Sequence, residues 1–279
     1  ANGAFLRENA DVKQEAVDAL VDWYYASSYR VPMGTEEADK AIAGWLNQNT
    51  GGLLSEETGN IRTDGNDLLR LYNTIYYKSS WRDAFESSRT REDVFTAANG
   101  AKQKTEFMHR TESGSYRKGE GYTAALRSLN YGRMVFVLPD EGVTPESLLQ
   151  QQGFLAELTG DYSAAELVWS VPKFDVKSST ELNGVLQALG VTDAFDMVEA
   201  DFTPLTDNGA FLSSAMQAAR VKIDEEGVEA AAYTEIVCAD SAMMEVPPTV
   251  EMDLDRPFLF VIFDNSNVPL FVGTVNTMA

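Results

Sequence analysis

The spacing of apolar residues changes from segment to segment along the chain, and each spacing predicts an element. Ala4, Phe5 and Leu6 open it as a short strand. Val12, Ala16, Ala19, Leu20, Trp23 and Tyr24 then recur at helical intervals, with Asp11 as the expected cap. Residues 29–31 read as a strand stopped by Pro32. Thr35 starts a second helix with Ala38, Ile42, Trp45 and Leu46 on its buried face, and Gly51 and Gly52 end it. From 68 to 85 the positions alternate. Leu69, Leu71, Asn73, Ile75 and Tyr77 share one parity, and Arg70, Tyr72, Thr74, Tyr76 and Lys78 the other, which predicts one long central strand. Residues 122–129 and 133–139 form a hairpin turning at Asn130, Tyr131 and Gly132. Residues 145–158 read as one helix with Leu148, Leu149 and Phe154 toward the core. A short helix over 182–189 ends at Gly190, and 212–223 is a strand. Elements of both kinds alternate irregularly, with no repeat and no linker, so the fold class is α+β in one unit spanning 1–279.

The strand over 212–223 runs into an acidic turn, Asp224, Glu225, Glu226 and Gly227, and then into an ambiguous stretch. Counting by twos from Val228 gives Val228, Ala230, Ala232, Thr234, Ile236 and Cys238, none of them charged. The other parity holds Glu229 and Glu235. That is the pattern of a strand with one buried and one wet face. The run Ala230, Ala231, Ala232 equally favours helix, and alanine packs a strand poorly. The stretch can be a strand without being committed to one, and its small side chains let it slip between neighbours.

Charge and composition narrow the function. The 279 residues carry a net charge of −21 and are 44% hydrophobic, enough for a sizeable core. Phosphate recognition needs clusters of Lys and Arg, so neither nucleic acid nor an anionic membrane is an expected partner. One cysteine, Cys238, excludes an internal disulfide framework, and one histidine, His109, leaves no basis for a zinc site or a Ser-His-Asp triad. Adjacent acids such as Glu36 and Glu37 read as solvated in so acidic a chain. No enzyme, no metal and no cofactor are expected.

The motifs are more specific. Glu225-Glu226-Gly227-Val228-Glu229-Ala230-Ala231-Ala232 resembles the hinge of the reactive-centre loop of serpins. Asp255-Arg256-Pro257-Phe258-Leu259-Phe260 is similar to a C-terminal strand of that family, and Pro269 to Val275 to its last strand. Asn73, Trp81 and Phe85 match its Asn-x-x-x-x-x-x-x-Trp-x-x-x-Phe pattern, and Val171-Pro172-Lys173-Phe174 its Pro-Lys-Phe strand. The resemblance implies a large main sheet, two further sheets, flanking helices and an exposed reactive-centre loop over 225–248. It implies a suicide inhibitor of a serine or cysteine protease, acting outside the cell. In that scheme Asn73 and Gln217 lie at the shutter where the main sheet opens, Gln217 standing where many members have histidine, and Trp81 lies at the breach where the loop enters. The family's usual loop length, counted from Glu225, sets the bait bond at Ser241–Ala242, within a window that includes Ala239, Asp240, Met243 and Met244. With no Arg or Lys between Lys222 and Arg256, an elastase-like, subtilisin-like or papain-like protease fits better than a trypsin-like one. A non-inhibitory binding or scaffold protein of the same fold is the alternative. The family's N-terminal portion, on the order of 100 residues of helices behind the main sheet, has no counterpart here, so the chain reads as a fragment, as one of two pieces whose N-terminal piece is a partner, or as a shortened protein.

Overall fold

In a computed structural model of the chain, residues 1–52, 58–212, 215–228 and 247–278 are described. They form two compact units, Ala1–Tyr76 with Lys177–Arg220, and Tyr77–Val176 with Val221–Ala279.

The first unit holds a three-stranded sheet in the order β2-β1-β3, from Asn2–Arg7 (β1), Ala26–Val31 (β2) and Leu69–Asn73 (β3). β1 is parallel to β2 and antiparallel to β3. Helix α2 (Glu36–Asn49) starts where the sequence says it should, with the Thr35 side chain accepting from the Ala38 amide. Its Ala38, Ile42, Trp45 and Leu46 are buried with Phe5, Val31 and Met33. Helix α1 (Gln14–Tyr24) departs from expectation. Its cap is Lys13, fixed by an ion pair to Asp207 at 2.6 Å and a bond to the Thr203 carbonyl, while the Asp11 carbonyl accepts from Thr206. None of its residues is buried, and Trp23 is 79% exposed. Periodicity makes the helix, and Ala16, Val17, Ala19 and Leu20 are half-buried, but no surface among the described residues covers them fully.

The second unit holds an eight-stranded sheet. Its strands are Arg91–Thr96 (β5), Lys102–Gly119 (β6), Tyr122–Ser128 (β7), Arg133–Pro139 (β8), Ser163–Pro172 (β9), Thr249–Asp253 (β13), Phe258–Phe263 (β14) and Pro269–Val275 (β15). The order is β13-β9-β6-β7-β8-β14-β15, with β5 also on β6. All six residues of β14 are buried, as a continuous apolar run demands when both faces of a strand are covered. One face carries an aromatic-rich cluster that includes Trp81, Phe136, Trp169 and Phe258, and Val261 and Phe263 belong to a second cluster with Leu148 and Phe154. The expected single helix over 145–158 is two, α3 (Pro145–Leu149) and α4 (Phe154–Glu157). Gly153, at φ 82°, takes a left-handed turn that breaks it, and Leu149 stays exposed.

A four-stranded sheet has the order β10-β11-β12-β4, from Phe174–Glu181 (β10), Met216–Ile223 (β11), Gly227–Val228 (β12) and Ser79–Ser80 (β4). β10 and β11 run from one unit into the other. Helix α5 (Asn183–Ala188) follows β10 and ends before Gly190, at φ 95°. The expected long strand over 68–85 is thus two short ones, β3 and β4, with 74–78 outside both. Strand geometry persists only where a partner backbone exists: β3 has β1, and β4 has β12. The structure also sets which parity faces inward. Tyr72 packs edge-on against Phe5 at 5.8 Å between ring centres, while Leu71 is 60% exposed. The strands expected to share one main sheet therefore fall in two smaller sheets, and the largest sheet is built from residues 91–172 and 249–275.

Candidate functional site

The candidate site is the seat of the segment expected to be the hinge, and its described residues lie in the second unit. β11 ends at Ile223, and Asp224 closes a tight turn whose amide donates to the Gly227 carbonyl at 3.0 Å. The Asp224 side chain accepts from the amides of Glu226 and Gly227, as aspartate does at turns. Gly227 and Val228 then run back as β12. Ile223 pairs Val228 on one side, and Ser80 and Ser79 pair Gly227 and Val228 on the other, antiparallel in both cases. Glycine is required here. Gly227 has φ 152°, and a Cβ on it would press into the Ser79 carbonyl and stand 2.7 Å from Ser80 Cα.

Trp81 and Phe85 complete the seat. The Trp81 amide donates to the Glu226 carbonyl, the Phe85 amide to the Glu225 carbonyl and the Trp81 indole to the Asp224 carbonyl, each at 2.9 Å. Three consecutive hinge carbonyls are thus held by one short segment. Trp81 itself is buried, bridged to Leu129 and packed edge-on against Phe85. Core packing and hinge-holding are therefore two uses of one residue.

The Glu225 side chain is held by charge. Its carboxylate pairs with Lys173 at 2.8 Å and accepts from the Thr90 hydroxyl at 2.7 Å. Lys173, just past the end of β9, also pairs with Glu106 at 3.1 Å. Burial works to raise the Glu225 carboxyl, but Lys173 and Thr90 outweigh it and hold it below the usual carboxylate range. Burial likewise works to lower the Lys173 ammonium, and the two glutamates leave it raised. A cavity of about 430 Å³ adjoins this pair, lined by Phe174, Ile223, Lys222 and Met278 among others.

The other expected site residues fare differently. Asn73, at the end of β3, is exposed and donates to the Asn2 side chain at 2.7 Å. Gln217 is exposed on β11. They lie on different sheets, and no pairing joins β3 to β11 among the described residues. Glu229, Ala230, Ala231 and Ala232 of the hinge lie outside the described residues, as do Ser241 and Ala242 of the bait bond and its window Ala239, Asp240, Met243 and Met244. Sequence reasoning missed Thr90 and the role of Lys173. The one signal was a lone lysine between Pro172 and Phe174, a position where a cation needs a partner. Among the described residues no group of three His, Cys, Asp or Glu side chains could hold a metal, and no helix is long and apolar enough to cross a membrane.

This seat has relatives. The family model described as serpin (serine protease inhibitor) matches residues 1–278. Alpha-1-antiproteinase 2 of Equus caballus is 28% identical over 98% of this chain, which spans 65% of that protein's length. The thermophilic serpin tengpin in its native state superposes with a TM-score of 0.84 at 28% identity, over 100% of this chain and 73% of that one. Thyroxine-binding globulin in complex with thyroxine superposes at 0.83 with 25% identity, over 100% and 75% respectively. With a family model matched across almost its whole length, the chain belongs to the serpin family.

Proposed function

We propose that the chain is a suicide inhibitor that traps a serine or cysteine protease as a covalent acyl-enzyme, the two units working as one serpin domain. The reading is carried by one observation. Val228 is already paired on both sides, with Ile223 of β11 and Ser79 of β4, and Gly227 is paired with Ser80. This pairing supports the reading as the first step of strand insertion, taken before any cut.

The residues that follow supply what insertion needs. Val228, Ala230 and Ala232 are small or apolar on one parity, with no proline or charge to block a central strand. The target's nucleophile attacks the Ser241 carbonyl, the bond to the Ala242 nitrogen breaks, and that nitrogen leaves as an amine after taking up a proton. Ser241 stays esterified to the protease, or thioesterified to a cysteine protease. The freed hinge extends the strand begun at Gly227 and carries the acyl-enzyme with it. About fifteen inserted residues at roughly 3.3 Å each move it on the order of 50 Å. New ladder hydrogen bonds and burial of the small face drive the step, and strain stored in the uncut state is released. The chain does no catalysis of its own in this scheme. An extracellular site of action belongs to the proposal on the family resemblance alone.

The test is a denaturing gel after mixing with an elastase-like protease, with mass spectrometry of the released C-terminal peptide. A band at the summed mass that survives boiling in detergent is the expected result, with a new N-terminus at Ala242 or a neighbour in the window. The likeness to thyroxine-binding globulin keeps a second reading in play, a non-inhibitory binding protein of the same fold. Clean cleavage with protease activity undiminished would favour that reading.

A further inference from the structure

We propose that Arg127 is a positioning residue for the hinge seat: a buried guanidinium that fixes the bend over residues 81–85, and through it the purchase on Asp224, Glu225 and Glu226. The proposal rests on the trapping mechanism for its functional consequence, though not for its structural one.

Arg127 sits on β7 at 3% exposure, the only charged side chain in the buried set among the described residues. Its nearest carboxylate is no close partner. Glu112 stands 3.6 Å away and is already held by Arg110 at 2.6 Å. Burial pulls the Arg127 guanidinium down to about 10, and it stays cationic at neutral pH. A buried cation without a tight counter-ion is costly unless it is used.

What Arg127 holds is the bend. Its Nη2 donates to the Asp83 carbonyl, and its guanidinium carbon lies 3.9 Å from the Phe85 ring centre and 5.2 Å from that of Trp81. Arg110 donates to the Ala84 carbonyl at 2.7 Å, and the Arg82 amide to the Ser128 carbonyl at 3.0 Å. The bend is two-sided. The carbonyls of Asp83 and Ala84 face the arginines of β6 and β7, and the amides of Trp81 and Phe85 face the hinge carbonyls. Two aromatic rings pinned by one cation fix where those amides point. The planar guanidinium can stack on a ring and donate at once, which a lysine ammonium cannot do equally well.

In the mechanism above, the seat decides whether insertion outruns hydrolysis of the acyl-enzyme. Loosening it slows the first strand pairing, so more of the inhibitor is cut and released as a substrate.

The experiment is hydrogen exchange on the uncut protein, paired with the covalent-complex assay, for Arg127→Met, Arg127→Lys and Phe85→Leu. Phe85→Leu removes the ring from the cation without touching the buried charge, and so serves if Arg127→Met fails to fold. Leu259→Ala, in the separate cluster, controls for general loss of stability. The expected result is exchange at the Trp81 and Phe85 amides faster by about tenfold in Arg127→Met and Phe85→Leu, less in Arg127→Lys, and no selective change there in Leu259→Ala. The covalent fraction falls in the same order. Unchanged local exchange in both Arg127→Met and Phe85→Leu, or an equal rise in Leu259→Ala, overturns the positioning role. Selective local exchange with an unchanged covalent fraction overturns its functional consequence. Selective exchange in a protein whose wild type forms no covalent complex sustains the positioning role and removes the trap.

Discussion

Residues 69–73 and residues 79–85 come from one alternating run, yet the first forms an open edge and the second a clamp. β3 pairs with β1 and with no other strand among the described residues, and Leu71 and Ile75 stand exposed beside it. Ser79, Ser80 and Trp81 are engaged on both sides, by β12 and by the Leu129 bridge. Similar composition gives opposite outcomes because a strand is completed by its neighbours. One segment has its second neighbour, and the other presents an edge that could accept one.

The sharpest way to break the comparison is Gly227→Val. A side chain there meets backbone at Ser79, Ser80 and Trp81, so the clamp should open. We expect a loss of about 3 kcal/mol in thermal or denaturant unfolding and the disappearance of the covalent complex. Ala230→Arg strikes the inserting strand and leaves the seat alone. Stability of the uncut protein should hold while cleavage replaces trapping, and full inhibition by this variant would sink the insertion model.

Lys173→Met is next in size. It leaves the Glu225 carboxylate without its cation, at a cost of about 1–3 kcal/mol. The pH profile sharpens this further. Glu225 has a folded value below its unfolded one, so its stabilisation is fully present above the unfolded value, about 4.3, and is lost as pH falls through the lower folded value. In Lys173→Met that acid-side loss should shrink. A wild-type and a variant melting curve that fall in parallel below pH 4.3 would dismiss the pair. The smallest effect belongs to the open edge. Asn73→Ala removes one exposed side-chain bond to Asn2 and should shift stability by no more than about 0.5 kcal/mol. A larger loss would mean that β3 is held more tightly than its exposure implies.

Much of this was legible in the residues. The hairpin of β7 and β8, the cap and face of α2 and the glycine of the hinge follow from spacing and turn chemistry. The inward face of β3 was not, because Leu71 and Tyr72 are both apolar and the contact with Phe5 on another strand sets Tyr72 inward. Arg127 was hidden for a similar reason. In 122–129 an arginine at one parity reads as a wet face, whereas β7 is flanked by strands and covered by Trp81, Phe85 and Trp169. Burial of a cation depends on what other segments bring to it, and no local pattern carries that. The hinge itself was found through resemblance, since its alternation served helix and strand alike.

The pairing of Gly227 with Ser80 and of Val228 with Ser79 has one more consequence. It sets the zero mark of a ruler. If the rest of the loop is laid down from that mark, the final position of whatever is attached at the cut is counted in residues from it. One residue added between Ala232 and Ser241 would lengthen the journey by roughly 3.3 Å and turn every later side chain to the opposite face. Loop length then becomes a heritable measure of how far a captured enzyme is displaced, adjustable in single steps without any change to the seat.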